Sequence, residues 1–99
     1  MKTLREIRET LLKHKDELKQ KYKVKEIGIF GSYIRNKQQI TSDVDILIEF
    51  DEGAGISLLD FIHIENYLSD LLAVKVDLVE KSTLKPRIGR HILKEVSYL

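Results

Sequence analysis

Acidic side chains that follow a glycine–serine pair are the residues of this chain whose types and spacing could do chemistry. Asp43 and Asp45 lie in the segment Ser-Asp-Val-Asp. Because side chains alternate between the faces of a strand, both acids should point to the same face. Two carboxylates held that close repel each other unless a cation lies between them. A third acid, Asp77, lies in the similar segment Val-Asp-Leu-Val, and the three together predict a Mg²⁺ site that handles nucleotide phosphates.

The glycine–serine pair, Gly31-Ser32, ends an apolar segment ahead of these acids. Glycine has no Cβ and lets the backbone approach a phosphate closely, and a serine at the start of a short helix offers N–H groups and a hydroxyl to an anion. Taken alone, the pair is typical of an ordinary turn, and exposed acids on a strand are common. Their combination favours a site that binds metal and phosphate together.

Three predicted helices must help to position these residues. An amphipathic pattern predicts a helix over 3–22 that begins with a capping box at Thr3. A second helix should begin after Ser57, with Asp60 in its third position, and a third should begin near Pro86. The apolar residues expected to supply their buried faces are Leu4, Ile7, Leu11, Leu18 and Tyr22, then Leu58, Phe61, Ile62, Leu68 and Leu72, then Ile88, Ile92 and Val96.

Apolar segments between the helices predict strands over 25–30, 43–50 and 74–79. A short helical turn is expected over 32–36 and a polar loop over 37–41. These elements predict an α/β (α+β) fold: a small mixed sheet of three to four strands with helices on one side. The carboxylates should then lie on the open face, where a partner could cover them.

Length and composition predict one soluble domain over 1–99 and exclude several classes of function. The net charge of +1 implies no general attraction to nucleic acid or to a membrane surface. The chain has no cysteine, which excludes disulfides and cysteine-based zinc sites. No apolar run approaches the roughly 20 residues that span a bilayer. We therefore expect a cytoplasmic protein whose partners include neither a membrane nor nucleic acid.

The segment that contains the glycine–serine pair and the acids resembles the signature of the polymerase-β-type nucleotidyltransferase superfamily. That signature is apolar-Gly-Ser, a spacer, then Asp-apolar-Asp-apolar. The strings Gly-Ser-Tyr-Ile-Arg and Ser-Asp-Val-Asp-Ile-Leu-Ile resemble most closely the minimal nucleotidyltransferases, which are the antitoxin halves of HEPN/MNT toxin–antitoxin pairs. Segments 75–79 and 84–87 look like that family's closing strand and helix, so the resemblance covers roughly residues 25–95.

The resemblance implies a role for each site residue. Arg35 would contact a phosphate or the partner, and Asp77 would assist metal binding or accept the proton of the attacking hydroxyl. Asn36 stands where the family often has glycine, and because asparagine tolerates left-handed backbone, we expect a changed turn and an intact site. The implied residues are Gly31, Ser32, Arg35 and Ser42 for the nucleotide, and Asp43, Asp45 and Asp77 for catalysis and for Mg²⁺.

The family reaction implied by this resemblance transfers AMP from ATP to a protein hydroxyl and releases pyrophosphate. In the paired systems the acceptor is a tyrosine of the HEPN ribonuclease toxin, which is silenced by the modification. Two other functions remain open: a non-enzymatic antitoxin that masks the toxin by binding, and a nucleotidyltransferase with a small-molecule or nucleic-acid acceptor. The short chain leaves little room for a separate acceptor-binding domain, which weighs against the latter.

Overall fold

Four strands form one mixed sheet in the computed structural model, which describes residues 2–39 and 42–99. The order across the sheet is β3-β2-β1-β4. Strand β1 is antiparallel to both of its neighbours, whereas β2 and β3 are parallel. A mixed sheet of three to four strands was the prediction, and it is confirmed. The strands are β1 (Val24–Phe30), β2 (Val44–Phe50), β3 (Val76–Glu80) and β4 (Ser97–Tyr98).

Three α-helices occur among the described residues, and their predicted starts are confirmed. Thr3 caps the first helix and Ser57 the second, and in each case an acid in the third position returns a hydrogen bond to the cap. Such capping boxes satisfy N–H groups that have no partner within the helix. Pro86 begins the third helix, where its missing N–H costs nothing. The helices are α1 (Leu4–Tyr22), α2 (Leu58–Leu72) and α3 (Pro86–Glu95).

The core lies between one face of the sheet and the two longer helices. Val44, Ile46 and Ile48 alternate along β2 and are all fully buried on that face. Because intervening residues point the other way, the same alternation directs Asp45 to the opposite face. The core also contains Ile7, Leu11 and Leu18 of α1, Ile64, Leu68 and Leu72 of α2, and Val76 and Leu78 of β3.

The strands differ from the prediction mainly at the C-terminal end of the chain. β3 runs from Val76 to Glu80, two residues later at its start than predicted. The short strand β4 was not predicted; it pairs with β1, and the Leu99 N–H donates to the Ile27 carbonyl at 3.0 Å. The predicted loop over 37–41 is described only as far as residue 39, and residues 40 and 41 lie outside the described residues.

Some apolar residues expected on buried helix faces are exposed instead. Leu58 is 74% exposed, Ile62 is 42% exposed and Ile88 is 57% exposed, so these three predictions were wrong. The buried position of α2 that the pattern missed is Ile64. A short helix that contacts the sheet along a narrow stripe leaves some apolar positions in solvent, which periodicity alone cannot distinguish. Within the described ranges, no helix is long and apolar enough to cross a membrane.

Candidate active site

A tight turn carries the chain from β1 into the site. Gly31 begins a single 3₁₀ turn, Gly31–Tyr33, and its carbonyl accepts the N–H groups of Ile34 and Arg35 at 3.1 Å. Its φ of +79° lies in the left-handed region, which favours glycine. Asn36 also has a left-handed backbone, with φ of +57°, a conformation that asparagine tolerates better than most residues.

The Gly31 turn lies directly against a carboxylate of the neighbouring strand. Phe30 pairs with Asp45 across β1 and β2, which brings the next residue, Gly31, beside the Asp45 side chain. A Cβ built on Gly31 would overlap Asp45 Oδ2 and would lie 2.8 Å from Asp45 Cγ. The Asp45 side chain therefore packs directly against the Gly31 turn.

The parallel pairing of β2 and β3 brings two of the predicted acids together. Asp45 and Asp77 are paired residues in the register of these strands, and paired residues of adjacent strands project to the same face. Asp43 lies one residue before β2 and is half-buried, as Asp45 is, whereas Asp77 is exposed. The structure thus places all three predicted acids near the N-terminal ends of β2 and β3, although their roles stay a prediction.

The Asp45 carboxyl has a raised pKa. Burial, which is the largest cause, and the nearby negative charges of Asp77 and Asp43 raise this pKa from 3.8 to about 6. The Arg35 guanidinium opposes these effects and lowers the pKa, while Glu95 adds to them. A cation bound beside these carboxylates would relieve the repulsion.

Glu95 is a site residue that the sequence reasoning missed. It is the last residue of α3. Its Oε2 accepts the Gly31 N–H at 3.0 Å, and its Oε1 accepts Arg35 Nη1 at 2.9 Å. The residue was not found because it lies 60 residues or more from its partners in the sequence. The one local signal is a lone acid in an otherwise basic helix, which by itself indicates nothing about a contact.

The two serines of the predicted nucleotide site, Ser32 and Ser42, lie in the two described ranges, 2–39 and 42–99. Ser32 is half-buried in the Gly31 turn, and its carbonyl accepts the Lys37 N–H at 2.9 Å. The Ser42 hydroxyl accepts the Gln39 N–H at 2.8 Å, and the Ser42 N–H donates to the Gln39 carbonyl at 2.9 Å. Ser42 is therefore bonded to Gln39 twice, and its assignment to the nucleotide stays a prediction.

The carboxylate oxygens of the site fit Mg²⁺ only together with oxygen ligands that a substrate supplies. In the part of the chain that the structure describes, no three acidic or histidine side chains converge closely enough to hold a metal by themselves. Mg²⁺ prefers oxygen ligands and is usually held by one or two carboxylates together with substrate phosphates and water. Asp45 and Asp77 offer such oxygens side by side, and their mutual repulsion with Asp43 favours a cation.

Comparison with known proteins identifies a family for nearly the whole chain. A family model described as a nucleotidyltransferase domain matches residues 11–99. A Methanocaldococcus jannaschii protein named "Putative protein adenylyltransferase MJ0126" is 57% identical over 100 residues, and the match covers 100% of both chains. "Protein adenylyltransferase MntA" of Thermococcus cleftensis is 50% identical over 99 residues, which cover 100% of this chain and 98% of that relative.

Solved structures share the fold. One, described as a "putative minimal nucleotidyltransferase", matches with a TM-score of 0.73 and 33% identity over 92% of this chain and 94% of its own. A toxin–antitoxin crystal structure with AMP-PNP matches with a TM-score of 0.71 over 87% of this chain and 69% of that chain, and at 20% identity it shows the fold alone. The chain belongs to the minimal nucleotidyltransferases, within the nucleotidyltransferase domain family.

Proposed function

We propose that this protein is a Mg²⁺-dependent protein adenylyltransferase that transfers AMP from ATP to a tyrosine hydroxyl of a partner HEPN ribonuclease toxin, and that it acts as the antitoxin of that toxin. The observation that carries the proposal is the pairing of Asp45 with Asp77 beside the Gly31 turn. Relatives at 50–57% identity over the whole chain bear the name protein adenylyltransferase, which supports the same activity.

The phosphates of ATP would be held by the turn and by Arg35. The Arg35 side chain is 54% exposed, so its guanidinium is accessible from solvent. Guanidinium groups bind phosphate through several N–H donors at once. Gly31 lets the backbone approach the phosphates, and Ser32 contributes its hydroxyl. We assign Ser42 to the same group of nucleotide-binding residues.

The acids would serve the transfer step. The tyrosine oxygen forms a bond to the α-phosphorus, the bond from that phosphorus to the oxygen shared with the β-phosphate breaks, and pyrophosphate leaves. We assign Asp77 to accept the hydroxyl proton, because it is the exposed member of the pair with Asp45. When bound at Asp43, Asp45 and Asp77, Mg²⁺ supplies positive charge against the charge that develops on the transferred group.

A protein acceptor suits the exposed site. Asp77 lies at the surface on the face opposite the helical core, where a partner surface could cover it. The Thermococcus cleftensis relative, which is 50% identical, bears the name MntA, and a solved toxin–antitoxin complex contains MntA together with HpeT, which supports a toxin as that partner. The net charge of +1 weighs against a nucleic-acid acceptor. The use of ATP and the absence of cysteine fit a cytoplasmic location.

The test of this function follows label from α-labelled ATP onto the partner that co-purifies with the protein, in the presence of Mg²⁺. Label should appear on the partner and should be lost in Asp43→Asn and Asp45→Asn. Asp51→Asn is the matched control, because Asp51 is an exposed acid just after β2. Mass spectrometry of the labelled partner should find AMP on tyrosine.

The same variants separate enzymatic silencing from binding alone. If silencing is enzymatic, the Asp43→Asn and Asp45→Asn proteins should still bind the toxin but should fail to silence it. If both variants silence the toxin at the same stoichiometry as the unaltered protein, the protein is a non-enzymatic antitoxin and the proposal is wrong. If label transfer persists at full rate in both variants, the assignment of the site is wrong.

A further inference from the structure

One carboxylate from the far end of the chain joins two groups that are proposed to hold the phosphates. Glu95 accepts the Gly31 N–H at 3.0 Å and Arg35 Nη1 at 2.9 Å, one through each oxygen. Its side chain is only 22% exposed, so water shields these contacts less than those of a surface ion pair. Charge-assisted hydrogen bonds of this kind are among the stronger ones in proteins. Glu95 therefore ties the turn and the arginine together.

The backbone that follows Glu95 is fixed to the sheet. The Val96 side chain lies so close to Gly28 that a Cβ on this glycine would be 2.6 Å from Val96 Cγ2. The next two residues form β4, and the Leu99 N–H donates to the Ile27 carbonyl. Glu95 thus lies between α3 and β4, and the contacts of the residues that follow it hold this part of the chain against the sheet.

Arg35 retains room for a phosphate beside Glu95. A guanidinium has five N–H donors, and the bond to Glu95 is made by Nη1. The Arg35 side chain is 54% exposed, so a ligand can reach it from solvent. A carboxylate on one edge of a guanidinium fixes the plane of the group and leaves another edge for a ligand, as residues behind a metal ligand orient that ligand.

We propose that Glu95 is a positioning residue for the nucleotide: it holds the Gly31 turn and aims Arg35 at the phosphates of ATP. The inference rests on the proposed function, because ATP is the ligand that Arg35 would bind. The opposite assignment, in which the Glu95 carboxylate competes with phosphate for the same donors, makes the opposite prediction for ATP affinity.

The test measures binding of a non-hydrolysable ATP analogue with Mg²⁺ by isothermal titration calorimetry, and KM and kcat for AMP transfer. Glu95→Ala should weaken binding about tenfold and raise the KM for ATP by a similar factor, with kcat changed by less than about twofold. Glu95→Gln, which keeps one acceptor oxygen, should have an intermediate effect on binding. It replaces the alanine variant in the test if that variant fails to fold. Glu9→Ala is the matched control, because Glu9 also pairs with an arginine, Arg5, but on the exposed surface of α1.

A double-mutant cycle with Arg35→Ala separates positioning from a general loss of structure. In the Arg35→Ala background, the effect of Glu95→Ala on binding should shrink to less than about threefold, since the group that it orients is gone. Tighter binding by Glu95→Ala, unchanged binding, or an equal loss with and without Arg35 would each overturn the inference. If the unaltered protein does not bind the analogue at all, the proposed function itself fails, and the inference fails with it.

Discussion

Gly31 and Asp45 are in contact across the first pair of strands, and the contact leaves no space for a side chain at position 31. A Cβ there would overlap Asp45 Oδ2 and lie 2.8 Å from Asp45 Cγ. The φ of +79° at Gly31 adds a second requirement for glycine. The contact explains why the glycine after β1 and an acid in β2 belong to one site. Substitution of Gly31 tests the requirement for glycine at this position.

Replacing Gly31 should damage both stability and nucleotide binding. In Gly31→Ala the left-handed backbone costs about 1 kcal/mol, and the overlap with Asp45 adds to it, for a total loss of about 2–3 kcal/mol in the free energy of unfolding. The carboxylate must also shift, so Mg²⁺-dependent binding of the ATP analogue should fall at least tenfold. Urea denaturation and calorimetry measure the two effects.

Gly53 provides the matched control for this substitution. Its φ is +75°, close to that of Gly31, but a Cβ there would meet no atom within 4 Å. Gly53→Ala should therefore show only the backbone cost and should leave nucleotide binding unchanged. Equal losses of stability in the two variants would show that the contact with Asp45 can relax freely, and would contradict the argument.

Asp45→Asn should stabilise the protein while it abolishes transfer. The folded-state pKa of Asp45, about 6, lies above the ordinary value of 3.8. The stability that this group contributes is therefore fully present below about pH 4 and is lost as the pH rises through about 6. The neutral amide avoids that loss, so we expect a gain of about 1–2 kcal/mol at pH 7, after allowance for solvent screening of a half-buried group.

The gain from Asp45→Asn should depend on pH. Urea denaturation at pH 7 and at pH 4 should show the full difference at the higher pH and almost none at the lower. Asp51→Asn, at an exposed position, should change the unfolding free energy little at either pH. A difference of the same size at both pH values would mean that the effect arises from packing and not from ionisation.

The binding of Mg²⁺ with the nucleotide should weaken as the pH falls through about 6. A protonated Asp45 carboxyl carries no charge for the cation, and its pKa of about 6 puts this change close to neutrality. Calorimetric titrations from pH 5 to 7.5 should show the apparent affinity decreasing below about pH 6. Saturating Mg²⁺ should move the midpoint lower, since a cation favours the ionised form. A flat profile would contradict this assignment of Asp45.

Ser57→Ala should lower stability without changing the catalytic rate. The Ser57 hydroxyl accepts the Asp60 N–H at 3.1 Å, and the Asp60 carboxylate accepts the Ser57 N–H at 3.0 Å. Loss of an N-cap costs about 1 kcal/mol. Thermal unfolding should show the loss, and AMP transfer below the melting temperature should be unchanged. A reduced kcat would place the start of α2 in the site, contrary to our assignment.

Local patterns were sufficient for most of the elements. The capping boxes at Thr3 and Ser57, the proline at the start of α3 and the alternation along β2 each depend on residues within a few positions of one another, and all are confirmed. The spacing of Asp43 and Asp45 is local in the same sense, but strand alternation directs only Asp45, because Asp43 lies one residue before β2. Patterns on α2 and α3 were less reliable, because an apolar position is buried only if another element covers it, as the exposed Ile88 shows.

The sequence by itself determined the family signature, the helix starts and the acids that could bind Mg²⁺. Only the tertiary structure decided which distant groups meet: the pairing of Asp77 with Asp45, the addition of β4 to β1, and the contact of Glu95 with Gly31 and Arg35. The physical reason is that strand register and the packing of the chain's end depend on contacts between residues far apart in the sequence, for which periodicity carries no information.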